Sequence, residues 1–297
     1  MEDVKVYKTP DQLIEIMLAK GLTIKDKKKA KKILTEVNYF ILTYYSEILK
    51  DKNGRFIKGA TFEELHQIYI FDKDIKMLFL RILLDIENEF KTALNELIST
   101  KYGYRETAYL RDENYDKHNP HVKRCIHNIE SQIDQYGKKN EAVAYYKDKY
   151  GYIPFWVLTK ILTLGNIKNL FDILRPKDKL QVTKHIYDLE LPTNPVETLQ
   201  EMLYIFVDLR NKCAHDEFVF DYKHSHAMLP PLKEHKSIEN PNIGHNDLLA
   251  FIISLKYVCQ YEVYTNFLES FNKLLDNLDK ASTLFDKDDY MRILSLK

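Results

Sequence analysis

Apolar residues recur every three to four positions along most of this chain, the spacing that places them on one face of an α-helix. The longest such pattern runs from Leu65 to Ser99 and predicts one long helix, or two helices with a break near Asp72. Further helical patterns cover residues 122–136, 141–150, 155–164, 166–174 and 247–279. An all-α fold, built as a helical bundle, is therefore predicted.

Capping signals mark where two of the helices begin. Thr9, Pro10 and Gln12 can serve as N-cap, first helical residue and capping-box partner. The segment from Asn194 to Glu197 repeats this arrangement, with Pro195 as the first helical residue. These signals predict helices that start at Pro10 and at Pro195.

Two segments lack helical periodicity and predict irregular connections. Residues 101–120 are rich in Tyr, charge and turn formers, and residues 220–245 contain several prolines and histidines. The first of these segments is the candidate boundary between two domains. We expect an N-terminal helical region over residues 1–110 and a second helical region over residues 111–297, which could together form one domain.

Composition narrows the class of protein. The 297 residues are 45% hydrophobic and 30% charged with only 8 Gly and 9 Pro, which excludes collagen-like and disordered chains. Lys+Arg and Asp+Glu both number 44, which excludes a uniformly basic nucleic-acid coat but leaves local patches free to form. No P-loop, dinucleotide-binding glycine motif or G-x-S-x-G sequence occurs, so nucleotide hydrolases and α/β-hydrolases have no support.

Cysteine usage and hydropathy indicate the compartment. The chain has three scattered cysteines without a C-x-x-C pair, which is typical of reduced thiols, so no disulfide is expected. The first ten residues lack the apolar core of a signal peptide, and the most apolar stretch, residues 248–255, is too short to span a membrane. We expect a soluble cytoplasmic protein with no membrane partner.

Arg210 occupies an unusual place on the helix that begins at Pro195. The charged residues of this helix form one polar stripe, which comprises Glu197, Glu201, Asp208 and Lys212. Arg210 lies off that stripe and in register with the apolar face. That face consists of Val196, Leu199, Leu203, Phe206 and Cys213. Because burial of an unpaired guanidinium is expensive, Arg210 must meet a carboxylate such as Glu87, a backbone carbonyl, a partner subunit or a bound anion.

Asn211 and His215 stand four residues apart near the end of the same helix, which places them side by side. Imidazole exchanges a proton near neutral pH, as RNA cleavage without a metal requires. The planar guanidinium of Arg210 can hold a phosphate and stabilise the charge of the transition state. Asn211 can orient the imidazole or donate to phosphate. We therefore take Arg210, Asn211 and His215 as candidate catalytic residues, with no cofactor expected. The alternative is a structural role, in which Arg210 pairs with a core acid such as Glu87 and His215 only ends the helix.

The sequence around these residues resembles a known family. RNKCAH, residues 210–215, resembles the R-x4-6-H signature of the HEPN ribonucleases, with Asn after the Arg. Four longer segments resemble in order the Abi family of bacterial phage-defence (abortive infection) proteins, namely GLTIKDKKKAKKILTEVNYF, GATFEELHQIYIFDKDIKMLFLRILLDIE, YLRDENY and PFWVLTKILTLGNIKNLF. The resemblance covers most of residues 12–216. It implies a HEPN-like core in the bundle and a metal-independent endoribonuclease, acting as a toxin or defence effector, with Arg210, Asn211 and His215 as its catalytic residues.

One position departs from the family pattern. Glu217 stands where a subgroup of HEPN toxins has a Tyr two residues after the His. Regulation by modification of that Tyr is therefore not carried over to this chain.

Basic residues offer candidate contacts to the RNA backbone. Residues 25–32 contain six lysines in eight positions and lead into a helix. We take Lys27, Lys28, Lys31 and Lys212 as candidate RNA-binding residues. The alternative for the lysine run is a solvated helix face.

A group of aromatic residues follows in the middle of the chain. It consists of Tyr145, Tyr146, Tyr150, Tyr152, Phe155 and Trp156. We interpret these mostly as packing residues of the core. Stacking on unpaired bases is the alternative.

Two groups of histidines have the chemistry of metal ligands. The first group comprises His118, His121, Cys125 and His127. Its spacing fits no closed structural zinc site. The second group comprises His224, His226, His235 and His245 in the long loop. Solvent or RNA contacts suit these side chains better than a metal, so no metal site is predicted.

One motif per chain makes an oligomer the expected active form. Because a single His does not easily act as acid and base in one step, two chains are expected to join their motifs at a two-fold axis. The expected partners are thus an RNA substrate, a second copy of the chain in a homodimer, and a small structured RNA or a protein as inhibitor. A non-catalytic RNA-binding protein with the same pocket is the alternative function, and a helical adaptor is a third.

Overall fold

The computed structural model describes residues 6–187 and 191–297, and in that part of the chain it forms fourteen α-helices and no β-strand. The helices are α1 Pro10–Ala19, α2 Lys27–Glu36, α3 Tyr39–Ser46, α4 Phe62–Lys101, α5 Glu106–Tyr109, α6 Val122–Tyr136, α7 Glu141–Tyr150, α8 Phe155–Leu158, α9 Leu164–Ile173, α10 Pro176–Ile186, α11 Pro195–Ala214, α12 Leu248–Val258, α13 Tyr261–Ala281 and α14 Lys287–Ile293. Three short 3₁₀ helices cover Glu47–Leu49, Asp112–Asn114 and Lys233–Ser237. The predicted all-α fold is confirmed, while the HEPN-like core stays a prediction.

Local capping placed several helix ends correctly. The Thr9 hydroxyl accepts the Gln12 backbone N–H, the Gln12 side chain accepts the Thr9 N–H, and α1 begins at Pro10 as predicted. Helices α6 and α7 have the predicted bounds, and α11 begins at Pro195. The caps at Thr9 and Asn140 act within four residues of sequence, so the starts of α1 and α7 could be predicted without knowledge of the fold, whereas no side chain caps the start of α6.

The long apolar pattern folds as one continuous helix, α4, of 40 residues. No break occurs at Asp72, because buried hydrogen-bond donors meet its carboxylate in the middle of the helix. The Tyr45 hydroxyl donates to Asp72 Oδ2 at 2.7 Å, and the Val219 backbone N–H donates to Asp72 Oδ1 at 3.2 Å. A satisfied carboxylate can be buried inside a helix without ending it.

Two predicted helices had wrong bounds. The pattern over residues 247–279 is two helices, since α12 ends at Val258 and Cys259 is extended with φ −103° and ψ 145°. Most of α12 is buried and the first residues of α13 are exposed, but no Pro or Gly marks the break in the sequence. The helix predicted over residues 155–164 ends at Leu158, and α9 starts at Leu164 because Thr163 and Asn166 form a capping box.

The helices group into two compact units that interleave along the sequence. The terminal unit comprises Met1–Leu78, Lys212–Tyr222 and Leu268–Lys297, and the central unit comprises Phe79–Asn211 and Lys223–Phe267. The continuous helices α4 and α11 contribute to both units. The predicted boundary near residue 110 stays a prediction.

Aromatic side chains form the core of each unit. In the terminal unit the Phe220 ring lies 5.6 Å from Phe71 and 6.3 Å from Tyr290. In the central unit the Phe251 ring lies 4.9 Å from Phe79 and 6.0 Å from Phe206. These edge-to-face contacts bury large apolar surfaces that stabilise each unit. Within the described residues, no helix has both the length and the apolarity needed to cross a bilayer.

Candidate functional site

Helix α11 presents the apolar face that its periodicity predicted. Leu199, Leu203 and Phe206 are fully buried, and Cys213 is buried near the helix end. Burial, and to a lesser degree the negative charge of Asp72, raises the pKa of the Cys213 thiol to about 12. Cys213 is therefore a protonated packing residue rather than a nucleophile.

Arg210 meets the carboxylate that the sequence suggested for it. Its Nε atom lies 3.7 Å from Glu87 Oε2, and its side chain is 25% exposed. Both atoms are buried, and neither has a hydrogen-bond partner. The other carboxylate oxygen, Glu87 Oε1, accepts a hydrogen bond from Lys91 Nζ at 2.7 Å. The guanidinium is thus held by charge while its hydrogen-bonding capacity stays incompletely used.

Asn211 and His215 complete the candidate set. Asn211 is exposed, and its Oδ1 accepts a long hydrogen bond of 3.5 Å from Arg210 Nη1. His215 is also exposed and directly follows Ala214, the last residue of α11. Arg210 and Asn211 belong to the central unit, whereas His215 belongs to the terminal unit. Their joint catalytic role stays a prediction.

The chain leaves α11 through a turn with a left-handed residue. Asp216 has φ 55°, and its N–H donates to the Cys213 carbonyl at 3.5 Å. The Glu217 N–H donates to the Lys212 carbonyl at 2.9 Å. This pair of hydrogen bonds is the Schellman arrangement, in which His215 is the C-cap residue and Asp216 takes the position where Gly is usual.

A buried lysine contacts that turn, and the sequence reasoning did not find it. Lys76 of α4 is 3% exposed, and its Nζ lies 2.5 Å from Asp216 Oδ1 and 3.1 Å from Asp72 Oδ2. Burial acts to lower the pKa of Lys76, but the two carboxylates outweigh it, so the pKa is raised and the ammonium stays charged. The signal in the sequence was an Asp and a Lys four residues apart on an otherwise apolar helix face.

Three of the four candidate RNA-binding lysines are exposed, Lys212 is half-buried, and most of the four have a carboxylate partner. Lys27 Nζ lies 3.1 Å from Glu15, and Lys31 Nζ lies 2.6 Å from Asp11. Lys28 is exposed at the start of α2. Lys212 Nζ lies 3.1 Å from Glu217 Oε2, which gives Glu217 a local partner. Exposed ion pairs of this kind are weak and can yield to a phosphate, and RNA contact by these four lysines stays a prediction.

The aromatic group is only partly a packing group. Phe155 is fully buried as predicted, but Tyr145, Tyr150 and Trp156 are 51%, 47% and 45% exposed, so the packing interpretation is wrong for these three. Cations lie over several rings of the group. Lys149 Nζ is 5.1 Å from the centroid of Tyr145 and 5.3 Å from that of Tyr150. Helix α7 places Tyr145, Lys149 and Tyr150 on a solvent-facing segment.

The loop histidines hold their own loop together. His224 Nδ1 accepts hydrogen bonds from the backbone N–H groups of His226 and Ala227. His235 and His245 stack with ring centroids 4.4 Å apart, and each makes a 2.8 Å hydrogen bond to a backbone carbonyl. Burial is the main cause that lowers the pKa of His224, which suits a neutral acceptor. Three of the four loop histidines therefore hydrogen-bond to backbone groups of their own loop.

The other histidine group is spread over the surface around a buried thiol. His118, His121 and His127 are exposed, and burial raises the pKa of Cys125 to about 12. Among the residues that the structure describes, no group of three or more His, Cys, Asp or Glu side chains could hold a metal ion.

Comparison with known proteins gives one finding. A family model described as Abi-like protein matches residues 32–221, more than half of the chain. The matched range includes Lys76 and the set from Arg210 to His215, and it starts after Lys27, Lys28 and Lys31. No match was found among curated proteins, and none among solved structures.

Proposed function

The chain belongs to the Abi-like protein family, and from that premise we propose that it is a metal-independent endoribonuclease of the HEPN type that acts in abortive infection. The family itself suggests a part in phage defence. RNA is the proposed substrate, and Arg210, Asn211 and His215 are the proposed catalytic residues.

The incomplete hydrogen bonding of the Arg210 guanidinium is the observation that supports this proposal. A guanidinium that served only as a structural counter-charge would be expected to form short hydrogen bonds with its carboxylate. Arg210 Nε instead lies 3.7 Å from Glu87 Oε2 without a hydrogen bond, and a quarter of the side chain stays exposed. Such an arginine faces a carboxylate and keeps part of its side chain open to an anion, which is what a phosphate-binding residue requires.

The chemistry follows from the three side chains. An imidazole removes the proton of the RNA 2′-hydroxyl, the 2′-oxygen attacks phosphorus, and the bond to the 5′-oxygen breaks. The leaving 5′-oxygen takes up a proton, so the products are a 2′,3′-cyclic phosphate and a 5′-hydroxyl end. Arg210 stabilises the additional negative charge on the phosphorane, and Asn211 orients the phosphate or the imidazole.

The proposed active form is a homodimer that joins two copies of the motif. One imidazole then acts as base while the other protonates the leaving oxygen. A closed two-fold interface brings the same surface of each copy together and needs no second type of subunit. A small structured RNA or a protein is the proposed inhibitor of this form.

The test compares the wild type with His215→Ala on an unstructured RNA. Wild type should cleave the RNA, and His215→Ala should lose about 100-fold or more in rate, the range that general acid–base catalysis supplies. His226→Ala is the matched control, since His226 is an exposed imidazole outside the motif. Equal cleavage by the wild type and His215→Ala would overturn the assignment.

The aromatic residues of α7 favour a second candidate function, non-catalytic RNA binding. Exposed tyrosines interleaved with cations are the kind of surface that stacks on unpaired bases and contacts their phosphates. An exposed aromatic surface and a cation occur together within six residues of α7, at Tyr145, Lys149 and Tyr150. On this reading, wild type and His215→Ala would bind single-stranded RNA equally and neither would cut it, whereas Tyr150→Ala would weaken binding.

A further inference from the structure

The strongest unassigned feature of the terminal unit is the buried Lys76. A lysine inside a core is costly unless carboxylates neutralise it. Asp72, one helical turn away on α4, is 0% exposed and already neutralises the ammonium at 3.1 Å. Asp216 is therefore a second carboxylate on one cation, and it is more than charge balance requires.

Asp72 fixes the direction of the Lys76 side chain. Its two oxygens accept hydrogen bonds from the Tyr45 hydroxyl and the Val219 N–H, so the carboxylate cannot rotate freely. The chain after α11 is thereby tied to α4 at two points, through Val219 to Asp72 and through Asp216 to Lys76. His215 is the residue directly before this tied segment.

Asp216 is a strained choice for its place in the turn. Gly adopts the left-handed conformation without steric conflict, whereas an Asp at φ 55° does so at a cost. A Gly at this position would close the same Schellman turn but could not reach Lys76. The side-chain contact of 2.5 Å is thus what the strained residue provides.

We propose that Lys76 and Asp216 are positioning residues for the imidazole of His215. They anchor the turn to the rigid helix α4, so that the His215 Cα–Cβ bond has one fixed direction. This inference rests on the proposed ribonuclease function, because it assigns His215 a task that needs a defined geometry.

The test uses two substitutions of Asp216. Asp216→Gly keeps the left-handed turn and leaves Lys76 paired with Asp72, so the fold should persist, with a thermal midpoint lowered by the loss of one charge-assisted hydrogen bond. Its kcat should fall about tenfold or more at unchanged KM, since a small displacement of a catalytic group is costly. Asp216→Asn keeps an oxygen acceptor for Lys76 and tolerates the left-handed region, so it should restore kcat to within about threefold of wild type.

Ser295→Gly is the matched control. Ser295 is the other non-glycine residue with positive φ in the described chain, also at 55°, and it lies in the terminal unit. Ser295→Gly relieves the same backbone strain without touching Lys76. It should therefore leave cleavage unchanged, and a loss equal to that of Asp216→Gly would overturn the proposal.

A second measurement separates this inference from the proposed function. Comparison of the wild type with His215→Ala decides whether the protein is a ribonuclease that uses His215. NMR relaxation of the His215 ring then reports its order independently of activity. Asp216→Gly should make the ring more mobile than in wild type even if no RNA is cut. An unchanged ring order, or an unchanged kcat in a cleaving enzyme, would overturn the positioning role.

Discussion

Arg210 Nε and Glu87 Oε2 lie 3.7 Å apart, both buried and both without a hydrogen-bond partner. The two residues come from α11 and α4, and Lys91 on α4 takes the other oxygen of the carboxylate. Glu87 therefore faces two cations, Arg210 and Lys91, and does not use the full hydrogen-bonding capacity of either. In the proposed site, the exposed part of the Arg210 guanidinium would supply hydrogen bonds to a phosphate.

Arg210→Lys should keep the fold and abolish cleavage. Lysine retains the charge that faces Glu87 but lacks the planar fork that holds a phosphate at two points. We expect a loss of about 100-fold or more in single-turnover cleavage, as for removal of a transition-state donor. Arg210→Ala should lose as much activity and about 1–3 kcal/mol of unfolding free energy as well, because Glu87 loses a counter-charge. Wild-type cleavage by Arg210→Lys would contradict this role.

Cleavage should persist in EDTA. Imidazole and guanidinium supply proton transfer and charge stabilisation without a metal ion, and the 2′-hydroxyl is the nucleophile. Product ends should therefore be a 2′,3′-cyclic phosphate and a 5′-hydroxyl, and a DNA copy of the substrate should not be cut. Loss of activity in EDTA that magnesium or manganese restores would instead indicate a metal-dependent nuclease.

Specific activity should fall when the protein is diluted below the concentration at which it dimerises. A site shared by two chains exists only in the dimer, so mass action sets its amount. Wild type mixed and re-equilibrated with a ninefold excess of Arg210→Ala chains should keep roughly one tenth of its activity, because random pairing leaves about one tenth of the wild-type chains paired with another wild-type chain. Sedimentation that shows a fully active monomer would exclude the shared site.

Local signals decided which features of the fold could be predicted. The capping box at Thr9 and the proline start at Pro195 act over a few residues, so both helix starts were correct. The break at Cys259 was missed because no Pro or Gly stands there, and both α12 and α13 have residues that suit a helix.

In the candidate site, too, local features could be predicted from the sequence and contacts between distant residues could not. The place of Arg210 on an apolar face followed from the helical period, and so did its need for a partner, of which a carboxylate such as Glu87 was one candidate. The contact of Lys76 with Asp216 joins residues 140 positions apart in sequence, and periodicity carries no information about such a pair. The sequence marked Asp72 only as a possible break in the helix, while in the fold it is the residue that holds Lys76.

Tyr290→Phe should destabilise the terminal unit. The Tyr290 hydroxyl donates to Glu64 Oε1 at 2.7 Å, and Glu64, 2% exposed, also accepts from Ser282 and from the Thr283 N–H. Loss of one donor to a buried carboxylate should lower the free energy of unfolding by about 1–3 kcal/mol in a urea titration. Tyr7→Phe, at an 86% exposed position, is the control and should show no change. Equal unfolding midpoints for both variants would contradict the importance of this contact.

Buried tyrosines should make the fold sensitive to alkaline pH. Tyr45 is 1% exposed, and burial, followed by the negative charge of Asp72, raises its pKa far above the ordinary value. Burial and a neighbouring carboxylate likewise raise the pKa values of Tyr102 and Tyr290. Each phenol therefore keeps its proton in the folded chain at a pH where the unfolded chain releases it.

The sign of the pH effect follows from this difference. The contribution of Tyr45 to stability is fully present below the unfolded-state pKa of about 10 and is lost as the pH rises toward the folded-state pKa. Over that window each such tyrosine lowers the free energy of unfolding by about 1.4 kcal/mol per pH unit, because the unfolded chain binds fewer protons. Urea titrations between about pH 9 and about pH 11 should show this decline in the free energy of unfolding. Tyr45→Phe should make the decline per pH unit smaller by the contribution of one tyrosine. Tyr7→Phe should leave the slope unchanged. A slope for Tyr45→Phe equal to that of wild type would show that the proton on Tyr45 is not linked to folding.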